Sequence, residues 1–268
     1  NDILFFSDRG KAYQLKMYDL PEGRRATKGK SIMNFLSLEQ EETVTSVLAM
    51  PKELKAIEGL SLVLATKSGT VKRVSADKFR DVRRSGLISI SLDKGLPAAR
   101  GASAQAGDAL ICARFAHKND DVILTTSKGQ SIRFKSANVR EMGRQAGGVR
   151  GIKLTSGDFV VGFDIVPASG AKTAELLVIS STGYGKKTKL SEYKTQGRGG
   201  SGIKTMSITA KTKQLVGAAV VGGSGEASKQ GELVAMSQKG TAIRTGLEEI
   251  PTLSRATQGV RVMKLRDN

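Results

Sequence analysis

Tryptophan is absent from this 268-residue chain, and cysteine and histidine each occur once. A single thiol permits no internal disulfide, and one histidine beside one cysteine leaves no basis for a zinc site. Cys112 stands in the apolar stretch Ala109-Leu110-Ile111-Cys112-Ala113, with nothing basic close enough to activate it, so a buried, inert thiol is expected. A lone reduced thiol fits a reducing cytoplasm. His117, in Ala116-His117-Lys118-Asn119-Asp120, reads as part of a surface turn between structural units. Aromatics amount to 4%, which leaves Val, Ile, Leu and Ala to fill the core. No apolar run approaches the roughly 18 residues needed to cross a bilayer. No G-x-x-x-x-G-K-[ST] loop is present, so nucleotide binding is not expected within these residues. The start, Asn1-Asp2-Ile3-Leu4, has neither an initiator Met nor a signal peptide's charged region, and reads as the beginning of an internal fragment.

Positive charge, by contrast, is abundant. Forty-three Lys and Arg against 25 Asp and Glu give a net charge of +18 and a pI near 10.1. Hydrophobic residues make up 39%, enough for a packed core and too many for a disordered tail. A folded, strongly basic chain favours a polyanionic partner, and the repeats described next favour nucleic acid over a membrane surface.

Five segments share one plan, an apolar strand followed by a small or polar turn that ends in glycine: ILFFSDRG, LVLATKSG, VILTTSKG, LVISSTG and LVAMSQKG. The turn glycines are Gly10, Gly69, Gly129, Gly183 and Gly240, spaced 59, 60, 54 and 57 residues apart. Each occupies a place where a tight strand-to-strand turn needs positive φ. Fifteen residues after each stands an arginine: Arg25, Arg84, Arg144, Arg198 and Arg255. Nineteen residues after, in four of the five, stands a second glycine (Gly29, Gly148, Gly202, Gly259), while the second unit has Gly86 two places early.

The units run approximately over 1–50, 60–115, 121–166, 174–221 and 231–268, and together read as one all-β domain over 1–268. Four strands are expected in each, in the third unit approximately Val122–Thr126, Ser131–Val139, Val149–Leu154 and Phe159–Val166. Alternation in the second strand places Ile132 and Phe134 on one face and Arg133 and Lys135 on the other, and Tyr13, Leu15 and Met17 alternate with Gln14, Lys16 and Tyr18. An apolar face buried and a basic face exposed is the expected outcome. Four short strands per repeat suggest a propeller-like ring. WD repeats, at about 40–45 residues with a Trp-Asp signature, and kelch repeats, at about 50, fit poorly in a chain without tryptophan.

The fourth unit contains Gln196-Gly197-Arg198-Gly199-Gly200-Ser201-Gly202, which resembles the gyrase-A box, Gln-Arg-Arg-Gly-Gly-Lys-Gly, at five of seven places. Gly197 and Ser201 replace two of its cations. The run Tyr184 to Tyr193 looks like the strand leading into that box, and weaker versions recur as GRRATKG (23–29), MGRQAGG (142–148) and LSRATQG (253–259). On these residues the chain is similar, over essentially its whole length, to the C-terminal domains of bacterial gyrase A subunits.

The resemblance implies a β-pinwheel, ordinarily six-bladed, whose neighbouring blades exchange a strand. It also implies a role in wrapping duplex DNA around a basic rim, without regard to sequence, in support of negative supercoiling. The implied partners are DNA, the N-terminal cleavage domain of the same gyrase A chain, and gyrase B in a two-plus-two holoenzyme. ATP and magnesium would act elsewhere in that enzyme, in the bacterial cytoplasm at the nucleoid, and the DNA-cleaving tyrosine would lie in another domain. None of Tyr13, Tyr18, Tyr184 and Tyr193 is therefore assigned that role. In the family the full box sits in the first blade. This chain looks as if it begins at the second and stops after a third strand at Leu265, so either a blade is missing or five blades close on themselves.

Phosphate binding calls for positive charge at regular intervals. Four residues after the turn glycine come Gln14, Arg73, Arg133, Lys187 and Arg244, basic in four of five units. With the five box-position arginines, Gln196 and the glycines Gly199, Gly200 and Gly202, the four basic ones are the candidate DNA-binding residues. The glycines are expected to let the backbone approach phosphates and point N–H groups at them. Each box arginine has a second reading, bracing its own loop by bonding backbone carbonyls. Two other functions stay open at this stage: the counterpart domain of topoisomerase IV, and a basic propeller scaffold for protein partners. No catalytic residue is expected.

Overall fold

The computed structural model describes residues 2–23, 28–53, 58–93, 95, 107–222 and 231–265. Every repeat opens with a hairpin: β1 Asp2–Ser7 with β2 Lys11–Lys16, β4 Ser61–Thr66 with β5 Thr70–Ser75, β8 Asp121–Thr126 with β9 Gln130–Lys135, β12 Glu175–Ser180 with β13 Tyr184–Lys189, and β16 Glu232–Met236 with β17 Ala242–Gly246. All five turn glycines have positive φ, between 74° and 85°. A side chain there would cost roughly 1–2 kcal/mol in backbone strain alone.

The first strands of the second and third repeats are apolar runs without alternation because both of their faces are covered, every residue of β4 and β8 being buried, whereas β16 alternates between exposed and half-buried residues. A seven-residue outer strand then pairs with the first strand of the hairpin: β3 Val44–Met50, β7 Leu110–Ala116, β11 Val160–Val166 and β15 Leu215–Val221. Each of these pairings is broken by a register shift near one end, such as that between Phe6 and Ser7, which adds local twist.

The remaining strands, β6 Leu87–Ile88, β10 Val149–Arg150, β14 Ile203–Lys204 and β18 Val260–Arg261, are two residues long. None joins the sheet of its own repeat. The sheet orders are β3-β1-β2-β6, β10-β5-β4-β7, β11-β8-β9-β14 and β15-β12-β13-β18, so each repeat donates its short strand to the second hairpin strand of the repeat before it. This is the exchange that the resemblance implied. The expected strand Val149–Leu154 is present as β10, shorter than expected and paired with β5 of the second repeat. The fifth repeat contributes a two-stranded sheet, β16-β17, among the described residues.

The second hairpin strands are also shorter than expected. A 3-10 turn follows each, at Met17–Asp19, Ala76–Phe79, Ser136–Asn138, Leu190–Glu192 and Leu247–Glu249. Met17 and Tyr18 therefore leave the strand and are 51% and 82% exposed. No α-helix occurs among the described residues, and no helix is long and apolar enough to cross a membrane.

The contacts divide the chain into two compact units, Asn1–Lys118 with Val139–Val149, and Asn119–Asn138 with Arg150–Asn268. The interruption follows from strand exchange, because residues 139–149 of the third repeat run over β5. In the first unit Leu4, Phe6, Leu62, Leu64, Val74 and Phe79 form one core, in which Phe6 and Phe79 meet edge-to-face at 6.0 Å. In the second, Ile123, Leu176, Val178, Leu190, Tyr193 and Leu215 form another. Apart from Tyr18, the few aromatics are buried or half-buried, alongside the expected aliphatics. Cys112 is half-buried rather than buried. His117 is exposed in a turn, as expected.

Candidate nucleic-acid interface

In the third, fourth and fifth repeats the chain that carries the box first runs parallel to the second hairpin strand of the preceding repeat. It meets that strand at the residue four past the turn glycine: Arg73 bridges Glu141, Arg133 bridges Thr195 and Lys187 bridges Thr252. Backbone bonds fix the crossings, from Met142 N–H to the Arg73 carbonyl (2.9 Å), Gln196 N–H to the Arg133 carbonyl (2.7 Å) and Leu253 N–H to the Lys187 carbonyl (2.8 Å). The box then arches over the strand and reverses, so that the two-residue exchanged strand can pair antiparallel, as Ile203 does with Ser131. Gln196 is therefore an anchor of the crossing through its backbone.

This geometry reassigns the cations at that crossing. In four repeats an acid stands twelve residues earlier, at the start of the first hairpin strand, and faces the crossing residue: Asp2 faces Gln14, Asp121 faces Arg133, Glu175 faces Lys187 and Glu232 faces Arg244. Arg133 is 9% exposed. It donates to Asp121 through Nε at 2.8 Å, and its Nη1 reaches the Leu190 carbonyl at 2.9 Å. Lys187 lies 3.2 Å from Glu175 with both side chains largely buried. Arg244, exposed, donates through Nε to Glu232 at 2.6 Å. Arg133, Lys187 and Arg244 are thus ion-paired on this face rather than free cations. Alternation did put them opposite the core residues, but each is neutralised by an acid one strand away. Arg73 differs, because the residue twelve before it is Ser61 rather than an acid. It bonds the Val139 carbonyl through Nε at 2.8 Å and makes no ion pair among the described residues. A base twelve residues after an acid was present in the sequence and would have revealed the pairs.

The box arginines are arranged otherwise. Arg25 lies outside the described residues, and Arg84 is exposed. Arg144 donates through Nη1 to the Lys78 carbonyl at 3.4 Å. Arg198 donates to the carbonyls of Asn138 and Arg150, both at 3.0 Å. Arg255 donates to the Lys204 carbonyl at 3.1 Å and lies 3.8 Å from Glu192. Bonding a carbonyl holds a guanidinium in place without neutralising it. Among the described residues Arg84, Arg144 and Arg198 have no carboxylate partner and keep their full charge on half-buried or exposed loops.

Of the box glycines, Gly199 does not offer the free N–H that was expected. The Gly199 N–H donates to the Gly151 carbonyl at 2.6 Å, and the Gly200 carbonyl accepts from the Lys153 N–H at 2.8 Å. Gly199 and Gly202 have φ of 82° and 74°. A Cβ on Gly202 would lie 2.6 Å from the Ser131 carbonyl oxygen, so this glycine serves strand exchange. Gly148 and Gly259 meet β5 and β13 in the same way, and Gly86 lies against the Tyr13 ring. Gly29 has no positive φ. Gly200 would make only ordinary contacts, its nearest neighbour being Ile132 Cδ1 at 3.7 Å.

Two further residues went unnoticed in the sequence. Lys72 and Lys186, three past their turn glycines, are fully buried beneath box loops. Lys72 Nζ donates to the Ser89 carbonyl at 2.8 Å and to the Arg144 carbonyl. Lys186 Nζ donates to the Ser254 and Arg255 carbonyls at 2.6 and 2.7 Å, and lies 3.1 Å from Thr257 Oγ1. Burial pushes both lysines down to about 8; the nearby Lys78 adds to the effect on Lys72, while around Lys186 Glu192 opposes it and Arg255 adds to it.

Unfolding restores the ordinary 10.5, so above about pH 8 the unfolded chain binds more protons and stability rises with pH until about 10.5. Below pH 8 both states are charged, and these lysines contribute no slope. Thermal unfolding of the native protein and of a Lys72→Met, Lys186→Met variant should show their stability difference shifting in favour of the native protein across that window. The slope is at most about 1.4 kcal/mol per pH unit per lysine. A flat difference would show that the lysines are not buried as charges.

The family model described as "DNA gyrase C-terminal domain, beta-propeller" matches residues 1–49, 61–95, 120–167, 174–221 and 231–268. The DNA gyrase A protein of Staphylococcus epidermidis is 38% identical over 265 residues, 99% of this chain, and that of Staphylococcus aureus 36% identical over 266. The chain spans about a quarter of the length of these relatives, 27% and 28%. A solved DNA gyrase A C-terminal domain superposes with a TM-score of 0.75 at 25% identity, covering 99% of this chain and 79% of that one. The C-terminal domain of a DNA topoisomerase IV superposes at 0.79 with 20% identity, covering 98% of this chain and 75% of that one, a likeness of fold.

Proposed function

The chain belongs to the family of DNA gyrase C-terminal domains, and from that premise we propose that it binds duplex DNA without regard to sequence and wraps it, in support of negative supercoiling. The domain itself is the non-catalytic part, a β-pinwheel. Its proposed partners are gyrase B and the N-terminal cleavage domain of its own gyrase A chain, with ATP and magnesium used elsewhere in the enzyme. The bacterial cytoplasm and nucleoid are its proposed place. The relatives at 36% and 38% identity are gyrase A proteins, which favours gyrase over topoisomerase IV.

The observation that carries the reading is the kind of bracing at the box arginines. Arg144 and Arg198 recur at one offset and are held by carbonyls alone. An arginine that is fixed but not neutralised suits a phosphate, which supplies the missing counter-charge. Arg73, with Ser61 rather than an acid twelve residues before it, joins them.

If binding is phosphate-led, the logarithm of affinity will fall linearly with the logarithm of salt. Engagement of about 6–10 phosphates corresponds to a loss of roughly 10³–10⁵ in affinity between 50 and 200 mM salt. Scrambling the DNA should change little, and Arg198→Ala or Arg73→Ala should each lower the slope by about 1. Nicked circles ligated with the protein bound should show a shift in linking number. A flat salt response, or strong preference for one sequence, would overturn the reading.

A further inference from the structure

We propose that Lys72 and Lys186 are positioning residues for DNA binding, each tying down from beneath the loop that carries a phosphate-binding arginine, Lys72 for Arg144 and Lys186 for Arg255. The inference rests on the DNA-binding reading above. Its ground is that the lysines hold the arginines' own carbonyls. Fixing that carbonyl fixes the peptide plane after the arginine, and with it the direction in which the side chain leaves the loop. Both loops close as tight turns, Ala146 N–H bonding the Gly143 carbonyl at 3.2 Å and Thr257 N–H the Ser254 carbonyl at 3.3 Å.

The third repeat shows that the lysine is not needed for folding at that place. Its equivalent residue is Ile132, fully buried beneath the 196–202 loop. There the loop is shaped by Gly199 at positive φ and by the bond from its N–H to Gly151. Where the box keeps its paired glycines, the residue beneath is apolar. Where Gln145-Ala146 or Ala256-Thr257 replace them, the residue beneath is lysine. Burying an ammonium is costly compared with burying a hydrocarbon side chain, and neither lysine has an ion-pair partner among the described residues. The carbonyls they hold are what repays that cost. The depressed lysine pKa values agree with ammonium groups held away from water.

The test is a cycle in the intact protein, read as the salt slope of binding to a mixed-sequence linear duplex, since the slope counts engaged phosphates and general loosening of the fold does not set it. Arg255→Ala should lower the slope by about 1. Lys186→Ile, the residue nature uses at 132, should lower it as much with Arg255 still present, and the double variant should fall no further. Adding Ala256→Gly and Thr257→Gly to Lys186→Ile should restore the slope, which a variant that merely unfolded could not do. Lys72→Ile with Arg144→Ala should behave likewise. If Arg255→Ala lowers the slope equally with lysine or isoleucine at 186, positioning is refuted while the DNA reading stands. If Arg255→Ala changes nothing in the native background, that arginine does not bind phosphate, and both ideas fail at this loop.

Discussion

Asp121→Asn will destabilise the second unit far more than Glu232→Gln destabilises the fifth hairpin, although the two acids hold the same place in the repeat. The Asp121 side chain is 4% exposed and is approached by Arg133 Nη2 at 2.7 Å and by Lys135 Nζ at 2.7 Å. Removing its charge leaves Arg133 in the interior with only carbonyls around it, a loss of about 3–5 kcal/mol for a broken buried pair. For a domain of this size that is a fall of roughly 6–20 °C in melting temperature. Glu232 and Arg244 have side chains 44% and 71% exposed, and water screens both. There the same change should cost at most about 1 kcal/mol.

Arg133→Met tests the other half of the pair. It leaves Asp121 with Lys135 and replaces an ion by a side chain of similar length, so it should cost less than Asp121→Asn. If Asp121 rather than phosphate is the partner of Arg133, then under conditions where the variant is folded the salt slope of DNA binding should match the native one. Thermal melts together with salt titrations would decide. An Arg133→Met protein that is stable but loses about one unit of slope would return Arg133 to the DNA interface.

That contrast also marks how far the sequence could be read. The repeat, its turn glycines and the hairpins were legible because an apolar run ending in a positive-φ glycine recurs five times. Strand exchange was not legible from the residues themselves, and only the family resemblance implied it. Leu87–Ile88 and Val149–Arg150 are too short to show alternation, and their partners lie far back in the chain, Leu87 pairing with Ala12 and Ile88 with Lys11. Alternation also misled at Arg133. It reports which side of a strand a residue faces, and the side opposite the core is not necessarily solvent. Here that side carries an acid from the neighbouring strand and the chain of the next repeat crossing over it. The box arginines recur at one offset that the sequence displays, but their carbonyl partners, such as Asn138 for Arg198, come from other loops that no local pattern names.

Gly202→Ala will unhook the exchanged strand while leaving every charge in place. At φ +74° an L-residue is strained by about 1–2 kcal/mol before any contact is counted. The added Cβ would also lie 2.6 Å from the Ser131 carbonyl oxygen and 2.8 Å from its carbon. Both are backbone atoms of β9, so no flexible side chain can give way. The loop must lift, and with it go the pairings of Ile203 with Ser131 and Lys204 with Gln130, followed by the 2.8 Å bond from Thr205 N–H to the Gly129 carbonyl. Two controls in the same box separate this from a general effect of losing a glycine. Gly197→Ala meets nothing within 4 Å at a position without positive φ, and should be neutral or gain about 0.4–1 kcal/mol from the unfolded state. Gly200→Ala meets only ordinary contacts and should change little. Amide hydrogen exchange should show Thr205 losing protection in Gly202→Ala alone, ahead of any change in β8 and β9. DNA binding by that variant should keep much of its affinity, because Arg198 and the other cations remain, while the linking-number shift on nicked circles declines with the loop's fixed path. Unchanged protection at Thr205 would mean that β9 can yield at Ser131, and the close approach would then not be what the glycine is for.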